Sequence, residues 1–344
     1  MTMETLLRDV AATQSAGSLL IAIAFLLFIL GTGADMMVAS AVRLSRHWGI
    51  PEGIIGATIV SLGTTFPECA VSVAAAIQGE PDIALGNAVG SIICDTGLIL
   101  GLANCISPLP LERHVVGRQG WIQLGAGVLL VIACFPFATP TAAFRSGGHL
   151  PQFMGVVFLF LLALYVGYSI RWARQENPAG AMAAPAEHVS TSRTLMRLAC
   201  GAAMVVVSSK LLIIVVRETA LRLSIPESLI GATLVAFGTS LPELVTAVTA
   251  VRKGHGALAV GNVIGADILN VLFVAGAAAA VTPNGIAASV HFFRLLFPAM
   301  LTVLLVFRVG VLTSPKRLGR PFGIILLAVY TAVTVVTYRG LPIH

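Results

Sequence analysis

Five acidic side chains of this 344-residue chain stand inside apolar stretches long enough to cross a bilayer: Asp35, Glu68, Asp95, Glu243 and Asp267. Each costs on the order of 2–3 kcal/mol at the centre of a spanning helix, even on a lenient insertion scale. Residues that costly persist when they are paired or when they line a polar pathway. An internal salt bridge is the bland explanation. Lys210, however, is the one basic residue expected to be available as a buried cation, and one ammonium cannot neutralise five carboxylates. A metal cation is the simplest remaining partner.

Two of the acids end a repeated motif, GTTFPE at 63–68 and GTSLPE at 238–243. A proline inside a helix removes one backbone donor and clashes with the carbonyl four residues earlier. With Gly63 and Gly238 weakening the helix further, carbonyl oxygens near Ser61, Thr64, Ala236 and Thr239 are expected to be freed at membrane depth. Open backbone is tolerated there where it lines a cavity or binds something. Carboxylate, hydroxyl and carbonyl oxygens from two helices make a hard-cation cage, suited to Ca²⁺, Na⁺ or Mg²⁺ and not to a thiophilic metal. For Glu68 and Glu243 this reading outweighs a purely structural one. A second layer follows on the next helices. Asn87, Ser91 and Asp95 are spaced by four and share one face, and Asn262, Ala266 and Asn270 repeat that stripe. The glycines around them need no more than ordinary helix contact in a membrane. Pro51-Glu52 and Pro226-Glu227 read as helix starts, with Glu at the positive end of the helix and outside the ion site.

The elements that position these groups are membrane helices. Hydrophobic residues make up 57% of the chain, charged ones 10%, and the mean hydropathy is +0.94. A soluble domain carries about a quarter charged residues. The continuous apolar runs speak for helices and against a barrel. Helices are expected near 17–45, 51–78, 82–106, 118–137 and 150–172, then 194–223, 226–252, 257–281, 288–309 and 320–338. IPEGIIGATIVSLGTTFPE from Ile50 matches IPESLIGATLVAFGTSLPE from Ile225 at an offset of 175 residues, and the match extends through Gly86, Asn87 and Gly90. A gap-free match of that length marks a duplication. Five helices per copy is an odd number, so the second copy enters from the opposite side. The fold class is therefore an all-α membrane protein of ten transmembrane helices in two inverted five-helix repeats, a transporter plan with its substrate at the midplane. The first repeat covers 1–172, the second 194–344, and the Ala/Pro-rich stretch 173–193 links them.

Fourteen Arg and Lys residues collect on one side of this plan and six on the other. That bias puts the linker in the cytoplasm and both termini outside it, in a multi-pass inner (plasma) membrane protein. It also accounts for the net charge of +6 without nucleic acid as a partner. The partners are inorganic cations and the lipid bilayer, and nothing in the sequence speaks to an oligomeric state. Five cysteines lie in or near apolar segments without CxxC spacing and read as small buried hydrophobes. The first residues lack the pattern of a cleaved signal peptide.

GATIVSLGTTFPE with GNAVGSIICD, and GATLVAFGTSLPE with GNVIGADILN, resemble the two alpha-repeats of the calcium/cation antiporter superfamily. The likeness is greatest to its prokaryotic sodium/calcium exchanger branch. The resemblance implies that Glu68 and Glu243 hold Ca²⁺ together with the carbonyls of Thr64 and Thr239. It implies that Thr65 and Ser240 help to bind Na⁺ in flanking sites, completed by the carbonyls of Ser61 and Ala236 and the hydroxyl of Ser91. Asp95 and Asn270 fall where the family places a central polar pair, with the acid here in the first repeat. The first and sixth helices would slide across the core to alternate access. Ala266 stands where a serine hydroxyl is expected, and Asp267 is an added carboxylate beside it. An Asp35–Lys210 pair between the sliding helices is one hypothesis, independent hydration the other.

The expected function is secondary antiport, with Ca²⁺ and its counter-ions competing for overlapping oxygens. The cargo is Ca²⁺ and Na⁺, with H⁺ as the alternative counter-ion, and no cofactor or enzyme activity is expected. A Gly at 90 and at 265, where the proton-coupled branch usually has Glu, leans toward Na⁺; Ala266 and Asp267 lean toward H⁺. A non-transporting ion sensor and a membrane hydrolase are weaker readings. All seven histidines lie at loops or helix ends, away from the acids, and neither rival needs a duplicated core.

Overall fold

A computed structural model describes residues 10–11, 13–176, 190–222, 239–314 and 316–340. Helix α1 (Ala16–Trp48) starts where the Ser15 side chain accepts from the Ser18 amide, and it stops at Gly49, which takes the left-handed conformation at φ 61°. Pro51 precedes α2 (Glu52–Ile77), and Pro81 opens α3 (Pro81–Ile106). There follow β1 (Leu109–Pro110), α4 (Arg113–Cys134), β2 (Gly148–Leu150) and α5 (Gln152–Glu176). After residues 177–189, α6 (Thr191–Arg222) and α7 (Leu241–Arg252) are described. The chain continues through α8 (Gly256–Val281), β3 (Ile286–Ala288), α9 (Phe292–Thr313), β4 (Arg317–Leu318) and α10 (Arg320–Gly340). Eight of these helices are long and apolar enough to cross a membrane, and Arg320–Val336 is a shorter apolar one.

The expected helix 118–137 is shifted: it begins at Arg113 and ends at Cys134, just before Phe135 turns extended ahead of Pro136. The helix expected from 288 starts at Phe292, because Ile286–Ala288 pairs with β2 as a two-stranded ribbon. A second ribbon joins β1 to β4, with Leu109 opposite Leu318 and Pro110 opposite Arg317. The linker segment 177–189 and the first part of the helix expected at 226–252, up to residue 238, lie outside the described residues.

Burial sorts the helices into centre and rim. The apolar window of α8 is 83% buried, whereas those of α1 and α6 are each 28% buried. In the rim, α1 lies along α6, and both leave large apolar side chains such as Phe25, Phe28, Met196 and Val207 exposed. That surface is what lipid would cover. At the centre, α8 crosses α2 with almost no space between backbones. A Cβ on Gly261 would overlap the Gly53 carbonyl, and one on Gly265 would overlap the backbone of Ala57. This crossing brings the acidic stretch of α8 to the side of α2.

The expected loosening at the first Pro-Glu pair takes a different form. Pro67 sits inside a continuous α-helical stretch, Ser61–Ile77, and the irregular turn lies one step earlier, a π-helical segment at Gly56–Val60. Pro67 has no N–H to give the Gly63 carbonyl, while the Ser61 carbonyl accepts from the Thr64 hydroxyl at 3.2 Å. The second pair is placed differently. Pro242 and Glu243 stand in the first turn of α7, which follows a turn at Thr239–Ser240. Glu243 there meets the positive end of a helix.

Candidate cation site

Ser61, Thr64, Thr65, Glu68 and Ser72 follow one another at three- and four-residue steps, so they form one stripe along α2. All five are buried. From α7 come Ser240 and Glu243, from α3 Ser91 and Asp95, and from α8 Asp267 and Asn270, again all buried. Thr239 is partly buried, and Ala236 lies outside the described residues. Two stretches carry a π-helical turn at this level: Cys94–Ile99 in α3 and Asn270–Ala275 in α8. Such turns frequently mark functional sites, because they rotate side chains out of the regular helical register. Asp95 and Asn270 each stand at one.

Glu68 and Glu243 are each 1% exposed, yet neither oxygen of Glu68 and not Oε2 of Glu243 has a hydrogen-bond partner. Ser91 Oγ, Asp95 Oδ1, Asp267 Oδ1 and Asn270 Oδ1 are likewise unpartnered. Among the described residues none of the four carboxylates has an ion-pair partner. Glu68 and Glu243 lie close enough to repel each other, and Asp95 adds to the repulsion on both. Lys210 attracts Glu68 more weakly. Buried acceptors without donors are expensive, and mutually repelling carboxylates more so. The arrangement has the electrostatics of a cation site. Among the described residues no three carboxylate, imidazole or thiol groups converge on one point. An ion held here would have to draw its remaining ligands from hydroxyl, amide and carbonyl oxygens, which is hard-cation chemistry.

Other members of the stripes serve as braces. Asn87 donates from Nδ2 to the Glu68 carbonyl at 3.2 Å and to Ser72 Oγ at 3.0 Å, so it holds α3 against the motif helix. Asn262, the residue matching Asn87 at offset 175, has both side-chain polar atoms unpartnered. Asn270 Nδ2 donates to Asp95 Oδ2 at 3.4 Å, joining the central polar pair directly.

Thr96 and Gln123 were not among the residues expected here. Asp267 Oδ2 accepts from the Thr96 hydroxyl and from Gln123 Nε2, the latter at 2.5 Å, while Gln123 Nε2 also reaches Thr96 Oγ1 at 3.2 Å. Asp267 is therefore clamped by α3 and α4 through Oδ2, its Oδ1 has no donor, and its carboxylate repels Asp95. An amide inside the apolar α4, one of two with Gln119, was the available signal for Gln123; Ser72 could have been found four residues after Glu68. Gln123→Leu is expected to lower stability by roughly 1–3 kcal/mol, because a buried carboxylate loses a donor. Thermal unfolding of the purified protein in detergent checks this, and an unchanged midpoint would contradict the clamp.

Two peripheral expectations come out differently. Asp35 is exposed and bonds Lys253 at 2.9 Å, and Lys210 is exposed as well. The Asp35–Lys210 pairing is absent from this structure. Helix α1 turns Asp35 outward, where the flexible Lys253 stem at the end of α7 meets it. Glu52 heads α2 and pairs with His255 Nδ1 at 3.0 Å, an ion pair when the imidazole is protonated. It is separate from the central acids, as its capping position implies. Glu227 lies outside the described residues.

Comparison with known proteins returns one family over both halves of the chain, described as sodium/calcium exchanger protein and matched at residues 18–171 and 194–339. The sodium/calcium exchanger MaX1 of Methanosarcina acetivorans is 32% identical, over 93% of this chain and 99% of that protein. The inner membrane protein YrbG of Escherichia coli is 33% identical, over 90% and 94%. A solved structure of the sodium-calcium exchanger NCX_Mj, soaked with zero Na⁺ and Ca²⁺, superimposes with a TM-score of 0.78 at 27% identity, covering 93% of this chain and 98% of that one.

Proposed function

The chain belongs to the sodium/calcium exchanger protein family, and from that premise we propose that it exchanges Ca²⁺ for Na⁺ across the inner membrane by alternating access. The observation that carries the reading is the pair of buried glutamates, Glu68 and Glu243, whose carboxylates repel each other and keep oxygens without a donor. Ca²⁺ binds between them, with the carbonyls of Thr64 and Thr239. Na⁺ takes overlapping positions that use Thr65, Ser240, Ser91 and the carbonyls of Ser61 and Ala236. Asp95 and Asn270 form the central polar pair, and Asp267 stands behind Asp95 as a further charge. Because the two cargoes share ligands, loading with one excludes the other. An empty site leaves repelling carboxylates in a low-dielectric core, which disfavours the crossing of unloaded protein.

In this reading the chain is a ten-helix protein of two inverted repeats, 1–172 and 194–344, joined by a cytoplasmic linker at 173–193. Both termini then lie outside the cytoplasm. The offset of 175 residues between Asp95 and Asn270, which bond to each other, supports that symmetry. Lipid and inorganic cations are the partners; no cofactor takes part. The long α1–α6 pair, packed along its length and little buried, is the element suited to slide past the core.

Proton coupling is the second reading. It is favoured by Ala266, which supplies no hydroxyl to one Na⁺ position, and by the free Oδ1 of the neighbouring Asp267. One measurement separates the two. In proteoliposomes loaded with Na⁺, an outward Na⁺ gradient at equal pH is expected to drive Ca²⁺ uptake at least about tenfold above a Na⁺-free control. Uptake driven by a pH gradient alone, with none from Na⁺, would replace Na⁺ by H⁺; uptake driven by neither would overturn antiport.

A further inference from the structure

Arg308 lies within α9, in the span Phe292–Thr313, and is 4% exposed. It faces no carboxylate: among the described residues it makes no ion pair. One guanidinium nitrogen donates to the Val116 carbonyl at 3.4 Å, and Nε has no acceptor. A guanidinium presents five N–H donors in a planar fork, so most of its capacity is unspent. An unpaired buried cation inside a membrane segment points to a function by default.

The surroundings are built for this group. Its guanidinium lies over the Trp121 ring, 4.2 Å from the centroid. A Cβ on Gly120 would come within 2.9 Å of the guanidinium, so the glycine of α4 leaves the slot that the fork occupies. Trp121, which covers it, is 55% exposed on the outer surface of the bundle. The guanidinium is thus buried under a ring that itself faces the outer surface, so a swing of Trp121 is what would uncover it to lipid. Beside it, α9 exposes Leu305, Val309 and Leu312. One turn before Trp121 on α4, Arg118 stacks over Trp172 at 5.5 Å. The β1–β4 ribbon and the start of α10 bring exposed Lys316, Arg317 and Arg320 to the same end of the molecule.

We propose that Arg308 and Trp121, with Arg118 beside them, form a binding site for the headgroup of an anionic phospholipid. The phosphodiester oxygens accept from the free guanidinium donors, since arginine matches phosphate geometry. The acyl chains lie along Leu305, Val309 and Leu312. Depth agrees with this assignment. Arg308 is five residues from the end of α9, or about 7–8 Å at the helical rise, a depth from which a long basic side chain reaches the headgroup level. Basic pockets between membrane helices recognise such headgroups, and a lipid already in the bilayer reaches a lipid-facing slot that a soluble anion would have to enter through the membrane.

The test uses the full chain, delipidated in detergent, with bound lipid read by native mass spectrometry. Phosphatidylglycerol is expected to be retained about fivefold more than phosphatidylcholine, the worth of one basic contact near the membrane surface. Arg308→Gln should bring the ratio close to one. Trp121→Leu, at an exposed position, should lower it without disturbing the fold, which keeps the proposal testable if the arginine variant does not fold. Inorganic phosphate at millimolar concentration should leave phosphatidylglycerol bound. Equal retention of the two lipids would overturn the proposal. So would an unchanged preference in the variants, or displacement by inorganic phosphate, which would indicate a soluble-anion site instead.

Discussion

Glu68→Gln and Glu243→Gln should each lower Ca²⁺ exchange by about a hundredfold or more, because each removes a charged ligand from a site that offers few others. Glutamine keeps the volume and one carbonyl oxygen, so the effect isolates charge. The same substitution removes one of two carboxylates that repel each other in a buried setting. The folded protein is therefore expected to be at least as stable as the unaltered chain, since a buried charge without a partner costs more than a buried amide. Loss of flux with an unchanged or higher unfolding midpoint is the signature of a binding role. Flux close to that of the unaltered protein in either variant would remove the glutamate pair from the site, and flux lost together with the folded protein would make the pair structural. Proteoliposome uptake and thermal unfolding on the same preparations decide between these outcomes.

Gly261→Ala is expected to be the most damaging single-methyl change in the core. The added carbon would overlap the Gly53 carbonyl, which is backbone within a helix and cannot swing aside. Relief requires moving α8 away from α2, at a cost of roughly 1–3 kcal/mol or more. The separation would also pull Asp267 and Asn270 away from the α2 stripe, so transport should fall with stability. Gly90→Ala, at the position that matches Gly265, is the control. Gly90 holds a glycine of the same duplicated motif, but an added Cβ there meets no atom within 4 Å. That variant should be neutral or slightly stabilising, since alanine favours a helix over glycine by about 1 kcal/mol. Unfolding midpoints of the two variants check the contrast, and similar midpoints would contradict the close crossing.

That contrast shows why the duplicated motif could be read from the sequence but its consequences could not. GN-x-x-G occurs in α3 and in α8, and composition alone treats the two as equivalent. Among the described spans α8 is the most buried and runs against α2 backbone to backbone, while Gly86 and Gly90, the motif glycines of α3, face more open surroundings. The Pro-Glu pairs diverge in the same way: Pro67 is held inside a continuous helical stretch, while Pro242 stands in the first turn of its helix. Helical spacing was enough to put Asn87, Ser91 and Asp95 on one face. It could not assign Gln123 to Asp267, because that contact joins residues 144 apart in the chain. Nor could it pair Asp35 with Lys253, which depends on how α1 lies across the end of α7.

The sequence by itself determined the membrane class, the duplication and the two glutamates too costly to bury without a purpose. Those properties follow from composition, from spacing along one helix and from the price of charge in lipid, none of which needs a neighbour in space. Tertiary structure alone decided which oxygens are left without donors. Asn87 spends its amide on the Glu68 carbonyl and Ser72, and Asp267 is clamped on one oxygen and free on the other, while Glu68 keeps both oxygens bare. Whether a buried oxygen is free to take a cation depends on every donor within about 3 Å of it, and those donors come from helices far apart in the chain.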